Sequence, residues 1–262
     1  MIENILKMSK ILSFNTLKLN NTKLVIKKAI DKFGDDCVVS CSFGKDSVLV
    51  LYLARQIKPD IRVMFCNTLN EFPETIQLKN RLVEEWDLNL IETRPYKDMT
   101  FRKCLDNYGL PQVRLQGKNR TPKCCMYLKE YPAINAVKEY GIKALLTGLT
   151  SAESRNRFLV GKRMEKCCME RDGMHYTSFY WFTKGWNCWK FNPIMNWTEK
   201  EVFTYHSIQN IPLNEVYTKW NGIYPRCGCL MCTAYISWKD RLSISHPALY
   251  QWLKTFEANK ND

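Results

Sequence analysis

The octet Ser40-Cys41-Ser42-Phe43-Gly44-Lys45-Asp46-Ser47 lies between two apolar runs, and that setting limits the fold more than any other stretch of the chain. Asp36-Cys37-Val38-Val39 precedes it, and Val48 to Ala54 follows it. The first run reads as a short buried strand and the second as a buried helix. At such a junction Gly44 lets the backbone approach an anion, Ser42 and Ser47 offer hydroxyls, and Lys45 offers a point charge. The free N–H groups of the helix complete a cradle for phosphate oxygens. The loop is not a Walker A motif, because Val39 and Asp46 stand where that motif requires Gly and Ser or Thr.

With 262 residues, 45% of them hydrophobic, the chain has material for one full-sized core and a small appendage. Its formal charge of +13 favours polyanionic company, nucleotides and nucleic acid included. No apolar run reaches membrane-span length and the N-terminus lacks a secretory pattern, so a cytoplasmic protein without a membrane partner is expected. In that setting the twelve cysteines read as free thiols and metal ligands rather than disulfides.

Three regions are expected. Residues 1–34, with lysines interleaved among Ile5, Leu12, Leu24 and Ile30, read as a basic helical segment. Residues 35–208 alternate strands (near 36–40, 61–66, 88–92, 144–148 and 189–194) with helices such as Pro73 to Trp86, Tyr131 to Tyr140 and Thr198 to Ile208. This pattern predicts an α/β fold with a doubly wound, mostly parallel five-stranded, Rossmann-like sheet. In such a sheet Ser42 to Ser47, Asn67 and Gly148 fall at the carboxyl ends of strands, where ligands bind. Trp189 to Ile194 reads as a last edge strand, and residues 151–188 as an active-site loop region with a hairpin. Residues 209–262 form a small, helical, cysteine-bearing C-terminal appendage.

Ser42-Phe43-Gly44-Lys45-Asp46-Ser47 resembles the S-G-G-x-D-S pyrophosphate loop of the adenine nucleotide α-hydrolase superfamily, with Phe43 in place of the first Gly. Asn67 to Thr75 resembles the D-T-G-x-x-F-P-E-T segment of its phosphoadenosine phosphosulfate reductase branch, with Asn67 replacing Asp. Thr147 to Arg157 resembles the G-x-R-x-x-E-S-x-x-R segment. Gly148, Glu153, Ser154 and Arg157 match, and Thr150 replaces the first Arg. Asn192-Pro193-Ile194-Met195-Asn196-Trp197 is similar to the step before the family's last helix. The resemblance implies a nucleotide site on Ser42, Phe43, Gly44, Lys45, Asp46, Ser47, Asn67, Gly148, Glu153 and Arg157. Within it, Lys45, Asp46 and Ser47 act on ATP and Mg²⁺.

Two separated cysteine pairs can close a four-thiolate site for a metal or cluster. Cys124-Cys125 with Cys229 and Cys232 resembles the 4Fe-4S ligand set of adenylyl-sulfate reductases and of sulfur-transferring relatives. Cys227 competes with Cys229, Cys167-Cys168 is a further adjacent pair, and zinc is the alternative occupant. His175, His206 and His246 show no triad or zinc spacing. The aromatic run Tyr176 to Phe182 can stack bases or fill a core. Two basic stretches, Lys118, Arg120 and Lys123, then Arg155, Arg157, Lys162, Arg163 and Lys166, can meet a nucleotide tail, nucleic acid or an acidic protein.

The reading favoured here is an ATP-dependent sulfurtransferase that adenylates an acceptor and releases pyrophosphate. It rests on the intact Lys45-Asp46-Ser47 and on the lack of a cysteine-bearing E-C-G-L-H tail in Thr255 to Asp262. The resemblance further implies a nucleic-acid or small-metabolite acceptor, a sulfur-donor protein such as a cysteine desulfurase, and a homodimer. The alternative is an adenylyl-sulfate or phosphoadenylyl-sulfate reductase. A further one is a non-catalytic, zinc-containing nucleotide or nucleic-acid binding protein.

Overall fold

The computed structural model of the chain describes residues 16–110, 122–232 and 237–259. Lys118, Arg120 and residues 1–15 of the basic N-terminal segment lie outside them. The chain forms two compact units. The first takes in residues 1–65, 81–92 and 134–213, and the second takes in 66–80, 93–133 and 214–262.

The first unit is built on a mostly parallel sheet. In chain order its strands are β1 (Cys37–Ser40), β2 (Arg62–Cys66), β3 (Leu90–Thr93), β4 (Ala144–Thr147), β7 (Tyr180–Thr183) and β8 (Cys188–Phe191). In space they run β3-β2-β1-β4-β8-β7. β1 and β4, in the centre, carry only buried or half-buried residues, as strands covered on both faces must. The sheet has six strands rather than the expected five. Tyr180–Thr183 pairs antiparallel with β8, so Trp189 to Ile194 is not an edge. The aromatic rings supply the reason: Tyr180 stacks on Phe191 at 5.0 Å and Phe182 meets Trp189 edge-on at 6.0 Å. The Tyr176 to Phe182 run therefore packs largely into the protein. A two-stranded ribbon, β5 (Glu170–Arg171) with β6 (Met174–His175), precedes it.

The helices of this unit are α1 (Thr16–Phe33), α2 (Lys45–Arg55), α7 (Arg155–Glu165) and α8 (Glu199–Gln209), while α3 (Pro73–Glu85) and α6 (Tyr131–Glu139) are divided between the two units. α8 begins with a capping box in which Thr198 and Glu201 satisfy each other's backbone, as its sequence predicts. Glu201 also binds Lys18 of α1 at 2.7 Å. The sheet order reverses between β1 and β4, which makes the loops after those strands the switch point where ligands bind in folds of this kind.

The second unit has its own core. Phe101, Cys104 and Leu105 of α4 (Phe101–Tyr108) pack with Leu128, Met231, Leu242 of α9 (Trp238–Ser245) and Leu253 of α10 (Pro247–Ala258). A satellite of Phe72, Val216 and Tyr224 lies beside it. No helix among the described residues is long and apolar enough to cross a membrane.

Candidate functional site

In the first unit β1 delivers the chain to the loop, and Cys41 N–H still bonds to the Met64 carbonyl at 2.9 Å. Phe43 then adopts φ +55°, a left-handed conformation that suits glycine. Its side chain is fully buried and meets Phe65 edge-on at 5.3 Å, and this packing holds the strained backbone in place. Gly44 caps α2 in extended conformation and no side chain caps the first turn, so its N–H groups suit an oxyanion. Ser47 Oγ lies 3.3 Å from Ser42 Oγ, accepts from Ser42 N–H at 3.2 Å, and donates to the Gly44 carbonyl at 3.1 Å.

Lys45 departs from the picture of a free point charge. Its side chain is 2% exposed, its ammonium donates to Asp46 at 2.8 Å, and Glu199 stands 3.6 Å away. Its carbonyl, at the start of α2, accepts from His206 Nε2 at 2.7 Å. His206 is buried, and burial holds its imidazole below the ordinary range. Gly148 follows β4 so closely that a Cβ there would come within 2.7 Å of Asp46 C and Ser47 N. Glu153 and Arg157 form an ion pair, and Ser154 caps α7 by accepting from Arg157 N–H at 3.2 Å. Cys167 and Cys168 follow α7 in this unit, the first half-buried and the second exposed.

The other predicted residues belong to the second unit. Asn67 Oδ1 accepts from Leu69 N–H at 2.9 Å and shapes a turn. Cys124 and Cys125 form a short helical stretch, α5 (Lys123–Cys125), that runs into a π-type segment, Met126–Glu130. Leu230 N–H bonds to the Asn70 carbonyl at 2.7 Å, and Cys229 pairs with Glu71 as an isolated bridge. Cys229 Sγ lies 3.5 Å from Thr68 Oγ1. Cys227 instead packs on the Phe72 satellite, with Tyr217 O–H donating to its sulfur at 3.7 Å.

Electrostatics tie the four cysteines together. Cys125 is pulled down to about 7 by the hydrogen bond from Cys124, against burial and with help from Lys129 and Arg226. Cys124 is pushed up by giving that hydrogen bond, by burial, and by Cys125 and Cys229. Burial pushes Cys229 up to about 12, with Glu71 and Cys232 adding to the effect. Among the described residues no three His, Cys, Asp or Glu side chains stand close enough together to hold a single metal ion.

Sequence reading missed Lys129. Its exposed side chain reaches toward Cys66, Cys229, Glu71 and Cys125, whose negative charge raises its ammonium. The available signal was its position four residues after Cys125, about one helical turn. It went unread because the helix was expected to start only at Tyr131. Glu71, which accepts from Thr68 O–H at 2.8 Å, was missed for want of any motif role.

Comparison with known proteins bears on both places. The family model described as phosphoadenosine phosphosulfate reductase domain matches residues 36–235. The adenosine 5'-phosphosulfate reductase of Staphylococcus epidermidis is 28% identical over 211 residues, which are 80% of this chain and 75% of that protein. The enzyme of the same name from Staphylococcus haemolyticus is 30% identical over 210 residues, again 80% of this chain and 75% of that protein. A crystal structure of phosphoadenylyl-sulfate reductase from Candida auris, at 20% identity, covers 74% of this chain and 82% of its own with a TM-score of 0.53, a likeness of fold.

Proposed function

The chain belongs to the phosphoadenosine phosphosulfate reductase domain family, and from that premise we propose that it is a reductase releasing sulfite from adenylyl sulfate or its 3′-phosphorylated form. The observation that carries this reading is the family match over residues 36–235, a span that includes the Ser42–Ser47 loop and Cys124, Cys125, Cys229 and Cys232. The names of the relatives agree with it. They outweigh the sulfurtransferase expectation, whose argument from the end of the chain carries no weight.

In this reading the uncapped turn of α2, with Ser42, Gly44 and Ser47, receives the nucleotide phosphate, and Arg157 faces its remaining anionic charge. A cysteine thiolate attacks the substrate sulfur. The S–O bond breaks, its electron pair leaves with the nucleoside monophosphate, and the sulfo group stays on the cysteine. A dithiol reductant then attacks that cysteine sulfur, sulfite departs with the S–S electron pair, and the dithiol ends as a disulfide. Cys167, Cys168 and Cys227 are the candidate attacking thiols outside the four-cysteine set.

The four-cysteine neighbourhood fits a 4Fe-4S cluster by donor chemistry: every donor is sulfur, and Lys129 and Arg226 offset the negative charge. Cys124, Cys125, Cys229 and Cys232 would hold it, and it would supply a cross-link and a fixed charge. A single zinc ion, the alternative occupant, would need the thiols closer together than they stand here, and iron, sulfide and zinc analysis of anaerobically purified protein separates the two.

The ATP-dependent sulfurtransferase is kept as a second reading because Lys45 and Asp46 form a close pair, 2.8 Å apart, in an intact Lys-Asp-Ser triplet. There Asp46 would hold Mg²⁺ and Lys45 would neutralise the leaving pyrophosphate. One assay separates the two. Sulfite from adenylyl sulfate with a dithiol reductant supports the reductase. Pyrophosphate from ATP that depends on acceptor and sulfide, without sulfite, overturns it.

A further inference from the structure

Helix α7 turns its Gly161 side inward and presents to solvent a face that mixes basic and large apolar side chains. Arg155, Phe158, Leu159, Lys162, Arg163 and Lys166 follow one another at i, i+3, i+4, i+7, i+8 and i+11, so they form a single stripe. All six are exposed, Phe158 and Leu159 at 48% each, while Gly161 is the buried residue of the helix. An ordinary solvated face would not set two large apolar side chains in the middle of its charges.

The charge on this stripe is only partly compensated, by Glu165 at Lys162. Between 155 and 190 the chain carries eight Lys and Arg against three acidic residues. Each of the three already faces a basic group: Glu165 lies 3.3 Å from Lys162, Asp172 3.5 Å from Arg171, and Glu170 3.4 Å from His175. Arg155, Arg163 and Lys166 have no ion-pair partner among the described residues. The helix dipole accounts for cations near the C-terminal end, but it works against Arg155 at the first position.

We propose that the exposed stripe of α7 is a binding surface for a single-stranded polynucleotide, with Arg155, Arg163 and Lys166 on phosphates along one strand and Phe158 under a base. From Arg155 to Lys166 is about 16 Å along the helix, a span that repeated phosphates fill and one mononucleotide does not. Two apolar residues on one helix are too few for a stable protein interface, which needs about 800 Å² on each partner. A polynucleotide gains affinity from released counterions and stacking without that area. A second copy of the chain, itself at +13, would be repelled. This surface goes beyond the reductase reading and does not depend on it.

The test is fluorescence anisotropy of labelled RNA, the matching single-stranded DNA and a duplex, titrated with the full-length protein from about 50 mM to 200 mM salt. Anionic vesicles and polyglutamate serve as competing polyanions. Wild type is expected to prefer the single strands. Arg163→Gln with Lys166→Gln should lower the salt slope by about 1.4, and Phe158→Ala should weaken binding by about tenfold at constant slope. Lys254→Gln, an exposed lysine on α10, should change neither. The proposal is overturned if no oligonucleotide binds or if the stripe variants bind like wild type. It is equally overturned if Lys254→Gln loses as much, or if vesicles or polyglutamate compete as well as RNA. All of these residues are exposed, so unchanged circular dichroism should accompany every variant.

Discussion

Phe43 holds a backbone conformation that costs a side-chain-bearing residue about 1–2 kcal/mol, at φ +55°. Phe43→Gly removes that strain but also empties a fully buried site, at about 3–5 kcal/mol for a large-to-small change. The packing term wins, and urea titration should show a net destabilisation of about 1–4 kcal/mol. Gly148 is constrained from the opposite direction, by the backbone of Asp46 and Ser47 at 2.7 Å from where its Cβ would be. Gly148→Ala must displace the first turn of α2, and calorimetry should find nucleotide affinity reduced at least about tenfold. His206 titrates below its ordinary 6.5 because it is buried. As pH falls the unfolded chain therefore takes the proton first, so the contribution of His206 to stability is complete above about 6.5 and is lost below it. Between about pH 7.5 and pH 5.5 the urea midpoint should drop less in His206→Gln than in wild type. An equal drop would show that the buried imidazole does not govern this window. His246, also lowered by burial, titrates in both proteins and cancels from the comparison.

Local elements were legible in the sequence and non-local ones were not. The strand, loop and helix around Ser42–Ser47 follow from adjacent residues, and so does the capping box of α8. That box gives its own expectation: Thr198→Ala should lower stability by about 1 kcal/mol in chemical denaturation, while Lys18→Met tests the Glu201 ion pair separately. β7 escaped because its four residues, Tyr180–Thr183, show no alternation of polar and apolar side chains. Only its register against β8, with ring on ring, identifies it as a strand. The sequence sets Cys229 in C-x-x-C spacing with Cys232 and leaves Cys227 as its competitor. Their surroundings could not be read from it: Cys227 packs on the Phe72 satellite and Cys229 lies beside Thr68 and Glu71. Lys129 could be noticed only once α5, the π-type segment and α6 were seen to run on as one helical stretch.

For the whole molecule, the proposed reaction is the transfer of a sulfo group from a nucleotide to a cysteine, with the Ser42–Ser47 loop proposed to receive the nucleotide phosphate. The family match covers both parts of the chain, and its +13 charge suits an anionic substrate. The most direct measurement is a single turnover without reductant: purified protein mixed anaerobically with excess adenylyl sulfate, then quenched for nucleotide analysis and intact-protein mass spectrometry. The predicted result is a burst of adenosine monophosphate approaching one per chain, with one sulfo group gained on a cysteine and released as sulfite when dithiol is added. Absence of both burst and adduct, in protein that releases pyrophosphate from ATP, would contradict it.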